Sequence, residues 1–293
     1  MRLTPLGKIF LFLIGLGLVL TAVYKFVPRE KLPWNRPRSA SSSSDVMPSA
    51  TEPSASATDA NARSADGSSG GALWIDVPAG VFLSGQNQET LDVPAYRIRR
   101  AEVTNGEYEA FLKDCPVGSS CGPRELPSYW DDSDYLETHR DHPVVFVSWG
   151  DGSAYCKQQG GRLPTIAEWE KAARGTDGRD FPTGSALDPS AVNILGSNHD
   201  KKNEAEKQIP TWATTDPNYG RDKSPYGVLA MAGNVSEWTA SASPDEPDLR
   251  LVAGGSWDSW DLGDGRTYNR IPKPPTDRSS SVGFRCATGA SSH

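Results

Sequence analysis

A break in composition near Leu73 constrains this chain more than any other feature of its 293 residues. After it come tryptophans, alternating apolar residues and dispersed Gly and Pro. That leaves roughly 220 residues, which fits one large domain better than two. Before it, residues 39–72 are rich in Ser, Ala and Gly and hold no aromatic residue. Such a stretch has too little apolar surface to offset the entropy of ordering. Residues 28–72 are therefore expected to be a disordered linker, its 39–72 stretch spanning roughly 30 Å as a flexible coil.

Upstream of the linker, Ile9 to Val23 is uncharged and apolar, flanked by Arg2 and Lys8. Extended to Val27, with Lys25 snorkelling, residues 9–27 reach the lower limit of about 17–20 residues for a spanning helix. A cleaved signal peptide is the rival, but Thr21-Ala22 is a poor cleavage site and no lipobox cysteine follows. The reading is an uncleaved signal anchor after a short cytoplasmic segment, residues 1–8. The flank after the run holds Lys25, Arg29, Lys31, Arg36 and Arg38, and the positive-inside rule alone would put that side in the cytoplasm. The brevity of residues 1–8 and the cysteines argue for the opposite orientation. The expected location is the inner (cytoplasmic) membrane, single-pass, with the C-terminal domain in the periplasm or outside the cell.

The net charge of −7 hides an asymmetry. Residues 1–38 carry seven Lys/Arg and one Glu, leaving 23 basic and 36 acidic residues beyond them. No basic stripe is visible, so nucleic acid is not an expected partner. The four cysteines, Cys115, Cys121, Cys156 and Cys286, all follow the break, and no CxxC or Cys/His cluster suggests zinc. An even number beyond an export signal suggests two disulfides, with free buried thiols as the alternative.

Read locally, Leu73 to Gly85 predicts two strands joined at Pro78-Ala-Gly80 as a hairpin. Thr104-Asn-Gly-Glu107 and Thr165-Ile-Ala-Glu168 are capping boxes, each opening a short amphipathic helix. Pro143 to Trp149 reads as an apolar strand leading to a helix around Asp151–Gln159. Three short helices among many short strands give an α+β class with little regular secondary structure.

Several phrases, taken in order, are specific. They include Val77-Pro-Ala-Gly80, Ala101-Glu-Val-Thr-Asn105, His142-Pro-Val-Val145, and Gly161-Arg-Leu-Pro-Thr165 through Gly175. Ala232-Gly-Asn-Val-Ser-Glu-Trp238, Gly254-Gly-Ser-Trp257 and Gly283-Phe-Arg-Cys286 complete the series. Over residues 73–288 the chain resembles the formylglycine-generating, or sulfatase-modifying-factor, family, with residues 289–293 as a tail. The resemblance implies a C-type-lectin-like α+β fold. It also implies a Cys156–Cys286 disulfide, since these positions match a pair bridged in the animal enzyme. Cys115 and Cys121 are then left to pair across a short loop.

The resemblance stops at the chemistry. Formylglycine-generating enzymes place two cysteines after the Gly-Gly-Ser motif, and soft thiolates suit copper(I) there. Here Ser259 stands at the first position and the second falls near Leu262 to Asp264. Copper is therefore not expected. The related iron-dependent sulfoxide synthases carry a His-rich domain, whereas His139, His142, His199 and His293 are scattered and suggest no iron triad. His142 reads as a loop histidine. Calcium is the ion the resemblance implies, bound through oxygen. One set matches Asn193 and Ile194, completed by Asn203 or Asp200. The other matches Gly233 and Val235 through carbonyls and Glu237 through its carboxylate. Ala230 replaces a side-chain ligand that is commonly Asn or Asp.

What remains near the family's reactive position is Trp257, Asp258, Ser259, Trp260, Asp261, Asp264, Tyr268, Asn269 and Arg270. Aromatics mixed with Asp, Ser and Asn make a recognition surface, because Trp and Tyr give large contact area at low entropy cost. Trp257 reads as core and Trp260 as the exposed anchor. Arg266, Arg270, Arg278 and Arg285 read as structural, paired with internal carboxylates. The leading expectation is a membrane-held, non-catalytic domain that binds a protein, peptide or glycan. One rival is an oxidoreductase-type family enzyme with an unrecognised site. The other is a retroelement-diversified variable ligand-binding protein, whose lectin-like folds share the Gly-Gly-Ser-Trp to Gly-Phe-Arg frame.

Overall fold

Capping decides where the principal helices begin. In the computed structural model, which describes residues 73–123, 125–131, 133–194 and 211–290, Thr104 and Glu107 close the expected capping box on helix α1, Asn105–Asp114. Thr165 and Glu168 do the same for α4, Ile166–Arg174. A third box, Ser148 with Asp151, opens α3, Trp149–Gln158. The sequence reading missed this box because Asp stands where Glu or Gln is usual. A further short helix, α2, covers Ser133–Thr138. Among the described residues no helix is long and apolar enough to cross a membrane. The expected anchor and linker lie outside those residues.

Among the described residues the strands form three small sheets. Strands β1 (Trp74–Val77), β4 (Tyr96–Arg99) and β9 (Ala287–Gly289) pair antiparallel in the order β1-β4-β9. Strands β2 (Gly80–Ser84) and β3 (Glu89–Val93) form a hairpin. The largest sheet runs β7 (Arg270–Lys273), β6 (Arg250–Ala253), β5 (Ser236–Ala242), β8 (Val282–Gly283), with β5 and β8 parallel.

Two sequence expectations fail for identifiable reasons. The strands either side of Pro78-Ala-Gly80 exist, but they do not pair with each other. Gly80 adopts φ +130°, so the corner sends β2 away from β1. The reversal that makes a hairpin comes instead at Gly85 and Gln88, both at positive φ, with Gln88 N–H donating to the Gly85 carbonyl. Residues 143–149 form no strand either. Val144 N–H donates to Val103, Phe146 to Ser279 and Trp149 to Pro275, so consecutive bonds go to different segments. Phe146 sits at φ +54°, which interrupts an extended run.

One core cluster packs Tyr108, Phe111, Tyr155, Trp238 and Phe284 around the Cys156–Cys286 disulfide. Gly152 lies inside α3 because a Cβ there would meet the Phe284 ring at 3.1 Å. The second cluster seats Phe82, Tyr96, Ile98 and Trp169. Helix α4 is buried from Glu168 to Arg174, charged residues included. Glu168 pairs with Arg162, Glu170 with Arg174, and Lys171 donates to the Pro78 and Gly80 carbonyls. Each buried charge therefore has partners, as burial requires.

Both expected disulfides are present, with Cα separations of 5.4 Å for Cys156–Cys286 and 5.3 Å for Cys115–Cys121. Next to Cys286 in the chain and fully buried, Arg285 grips Glu237 through two bonds of 2.6 and 2.7 Å. Glu102 is equally buried, with Tyr219 Oη 2.5 Å and Asn234 Nδ2 3.2 Å from its carboxyl. Burial, reinforced by the Glu237 charge and opposed by Arg285, pushes the Glu102 carboxyl from its ordinary 4.5 up to about 8.

The Cys156–Cys286 bridge closes a loop with a sequence separation of 130, the other one of 6. Chain entropy assigns about 5 kcal/mol to the long loop and about 2 to the short one. Removing the long bridge as a paired Cys→Ala variant is expected to lower urea-unfolding stability by about 2–3 kcal/mol more than removing the short one. The Glu102 proton gives a second test. The folded state keeps that proton where the unfolded chain releases it, so the contribution is full at low pH and lost as pH rises from 4.5 through about 8. Thermal midpoints of the parent chain are expected to fall across this window and those of Glu102→Gln to fall less. Parallel curves would refute this role for Glu102.

Candidate functional site

The loop that follows β6 holds the face singled out in the sequence. Two glycines set its start. A Cβ on Gly254, at φ +79°, would crowd Met231 O and the Trp169 ring at 3.1 Å, and one on Gly255 would lie 2.6 Å from Ala232 O. The chain can pass this close to residues 231–232 only without side chains. Trp257 N–H then donates to Asn234 O, and its indole N–H to Ser280 O at 3.0 Å. Trp257 is thus half-buried and tied down, while Trp260 is 64% exposed. Asp258 is exposed.

Ser259, at the position of the family's first reactive cysteine, braces the turn. Its Oγ accepts from Ser256 N–H at 3.0 Å, and its own N–H donates back to Ser256 O. Asp261 caps the following 3-10 turn, Leu262–Gly265, by accepting from Gly263 N–H at 2.6 Å. Asn269 donates to the Asp264 carbonyl at 2.8 Å and so holds the far end of the loop.

Asp261, Asp264, Tyr268, Asn269 and Arg270 come together around one open cavity of about 290 Å3. Trp257, Asp258, Ser259 and Trp260 precede it on the same loop and do not line it. Arg266 does, although the sequence reading gave it to the interior. Its guanidinium lies 5.8 Å from the Phe181 ring, a cation–π contact instead of the expected carboxylate pair. The other arginines do pair inward: Arg278 with Asp151 at 2.7 Å, Arg285 with Glu237, and Arg270 with the buried Glu170 at 3.5 Å. Glu170, invisible as a site residue in the sequence, also accepts from Ser84, Gly85 and Arg174, so Arg270 leans on a fixed anion. A second open cavity, about 520 Å3, lies between Gln88 and the 177–185 loop.

The metal expectations can be tested on donor chemistry. Copper(I) needs thiolates, and all four cysteines are in disulfides. The copper donor set therefore does not fit. For calcium, the loops carrying Asn193 and Gly233 do meet: a Cβ on Gly233 would lie 2.6 Å from Asn193 O, which already accepts from Asn234 N–H. Ile194 and Val235 are buried apolar side chains, leaving only their backbone oxygens as donors. Glu237, the carboxylate of the set, faces the Arg285 guanidinium and also accepts from the Trp169 indole at 2.8 Å. A carboxylate neutralised by a buried arginine does not fit a cation site. Asp200 and Asn203 lie outside the described residues. Asn234, although in a glycosylation sequon, is buried with its amide bonded to Glu102, Trp212 and Asn193.

Comparison with known proteins supplies the family. The chain is 38% identical over 158 residues to the inactive C-alpha-formylglycine-generating enzyme 2 of Bos taurus, covering 51% of each protein. It is 34% identical over 285 residues to the formylglycine-generating enzyme of Mus musculus, covering 73% of this chain and 74% of that one. Thus the chain spans about half the length of the inactive relatives it matches. Among solved structures, Treponema denticola variable protein 1 superposes with a TM-score of 0.55 at 21% identity, over 74% of this chain and 95% of that one, a likeness of fold. The sulfatase-modifying factor enzyme 1-like domain matches residues 62–290, and the chain belongs to that family.

Proposed function

We propose that this chain is a non-catalytic family member that captures an extracytoplasmic protein, peptide or glycan through the face around Trp260. The observation that carries this reading is the absence of any available thiolate: Ser259 replaces the first family cysteine, and every cysteine of the chain is bonded to another. The inactive relatives at 38% identity support it. An exposed Trp260 beside a cavity edged by two Asp and two Arg offers a large apolar contact rimmed by hydrogen-bonding groups. Membrane attachment through residues 9–27, with the domain in the periplasm or outside the cell, belongs to the same proposal. Two disulfides support an oxidising compartment, and the apolar run from Ile9 to Val23 supplies the anchor.

Two experiments test this reading. Purified chain incubated with copper and a Cys-x-Pro-x-Arg peptide is expected to leave the cysteine unchanged by mass spectrometry. Formylglycine in that peptide would overturn the non-catalytic assignment. Crosslinking in native membranes is expected to capture a partner with the parent chain, and Trp260→Ala is expected to lose most of it. Equal capture by both would exclude this face.

A further inference from the structure

Histidines that look scattered in the sequence meet in space. His139 follows α2 directly and His142 begins three residues later; their ring centroids are 4.7 Å apart, tilted by 54°. The backbone around them is fixed by the start of α1. Asn105 N–H donates to His142 O, Asn105 Nδ2 donates to His139 O, and His142 N–H donates to His139 O. His139 is also stacked on Tyr135, with centroids 4.0 Å apart and rings within 5° of parallel.

Each ring is held through Nδ1. His139 Nδ1 lies 3.1 Å from the Tyr135 carbonyl. The Thr138 hydroxyl lies nearer, 2.8 Å from the same nitrogen, and donates its own hydrogen to the Asp134 carbonyl at 2.9 Å. Hydroxyl and carbonyl can then both accept from a proton on Nδ1, the tautomer that leaves the lone pair on Nε2. His142 Nδ1 is 2.9 Å from the hydroxyl of the buried Thr211. Among the described residues neither Nε2 makes a hydrogen bond. Oxygen-fixed Nδ1 with a free Nε2 is how proteins orient imidazole ligands for a metal.

We propose that His139 and His142 form an open two-imidazole site for a borderline divalent cation such as zinc. Imidazole nitrogen suits zinc, and hard cations such as magnesium prefer oxygen. Among the described residues no group of three or more His, Cys, Asp or Glu could hold a metal ion. Two imidazoles would leave the other positions of a tetrahedral zinc to water, one protein ligand fewer than in an open catalytic site. This proposal does not depend on the face around Trp260.

The test uses the full-length chain, stripped with a chelator and titrated with zinc chloride by calorimetry. One zinc per chain is expected, unaffected by excess magnesium. His139→Gln is expected to weaken binding by at least about tenfold, and Thr211→Ala, which frees the His142 ring, by about tenfold. Metal-free melting curves check that both variants are folded. As a readout without any substitution, zinc is expected to shift the imidazole NMR signals of both His139 and His142 in the parent chain. No zinc uptake, uptake by His139→Gln equal to the parent, or unshifted signals from these two rings would each overturn the site.

Discussion

Arg285 has five N–H donors and all five are used inside the protein. Two reach Glu237, and the others reach the carbonyls of Arg99, Arg100 and Leu229. One fully buried side chain thus joins the end of β4, the 229 loop and β5. The next residue, Cys286, ties the same segment to α3 through Cys156. Removing a single partner of such a pair strands a charge in the interior, at a cost of about 3–5 kcal/mol. Hydrophobic packing alone tolerates small shifts of one sheet on another. Five directed bonds to one planar group do not, so the loops that start from this frame are held in one arrangement.

That frame explains why the Gly-Gly turn can be so tight. Gly255 N–H donates to Ala232 O, Gly254 carries the Trp169 ring against it, and Trp169 in turn donates to Glu237. The loop after the Gly-Gly turn is thus linked to the Arg285 pair by way of the Trp169 side chain. The Ser259 hydroxyl closes the turn on Ser256.

What could be read in the sequence was whatever depends on neighbours along the chain. The Thr104 and Thr165 boxes lie within four residues each and were legible from residue type alone. The strand pairings were not, because β1 finds its partner in β4 across the whole β2–β3 hairpin. The 143–149 run has the apolar content of a strand, but its hydrogen bonds go to Val103, Ser279 and Pro275, partners far away in sequence. At the site, the contrast between Trp257 and Trp260 was legible because the first follows the glycine turn and the second does not. Glu170 and Arg266 were not, since nothing local brings α4 behind β7 or sets Arg266 on Phe181.

The fate of Glu237 follows from the same long-range logic. A motif places its carboxylate where the resemblance expects a cation, but the position alone does not say which positive charge arrives. A fixed guanidinium on the same chain reaches it at no cost in translational entropy, whereas an ion must be recruited from solution. With Arg285 buried and its other donors on three carbonyls, displacing it would leave a charge without a partner. The carboxylate is thereby withdrawn from chemistry and given to stability. The groups we propose to meet ligands, the loop from Trp260 to Arg270 and the two imidazoles at the end of α2, lie outside this buried pair.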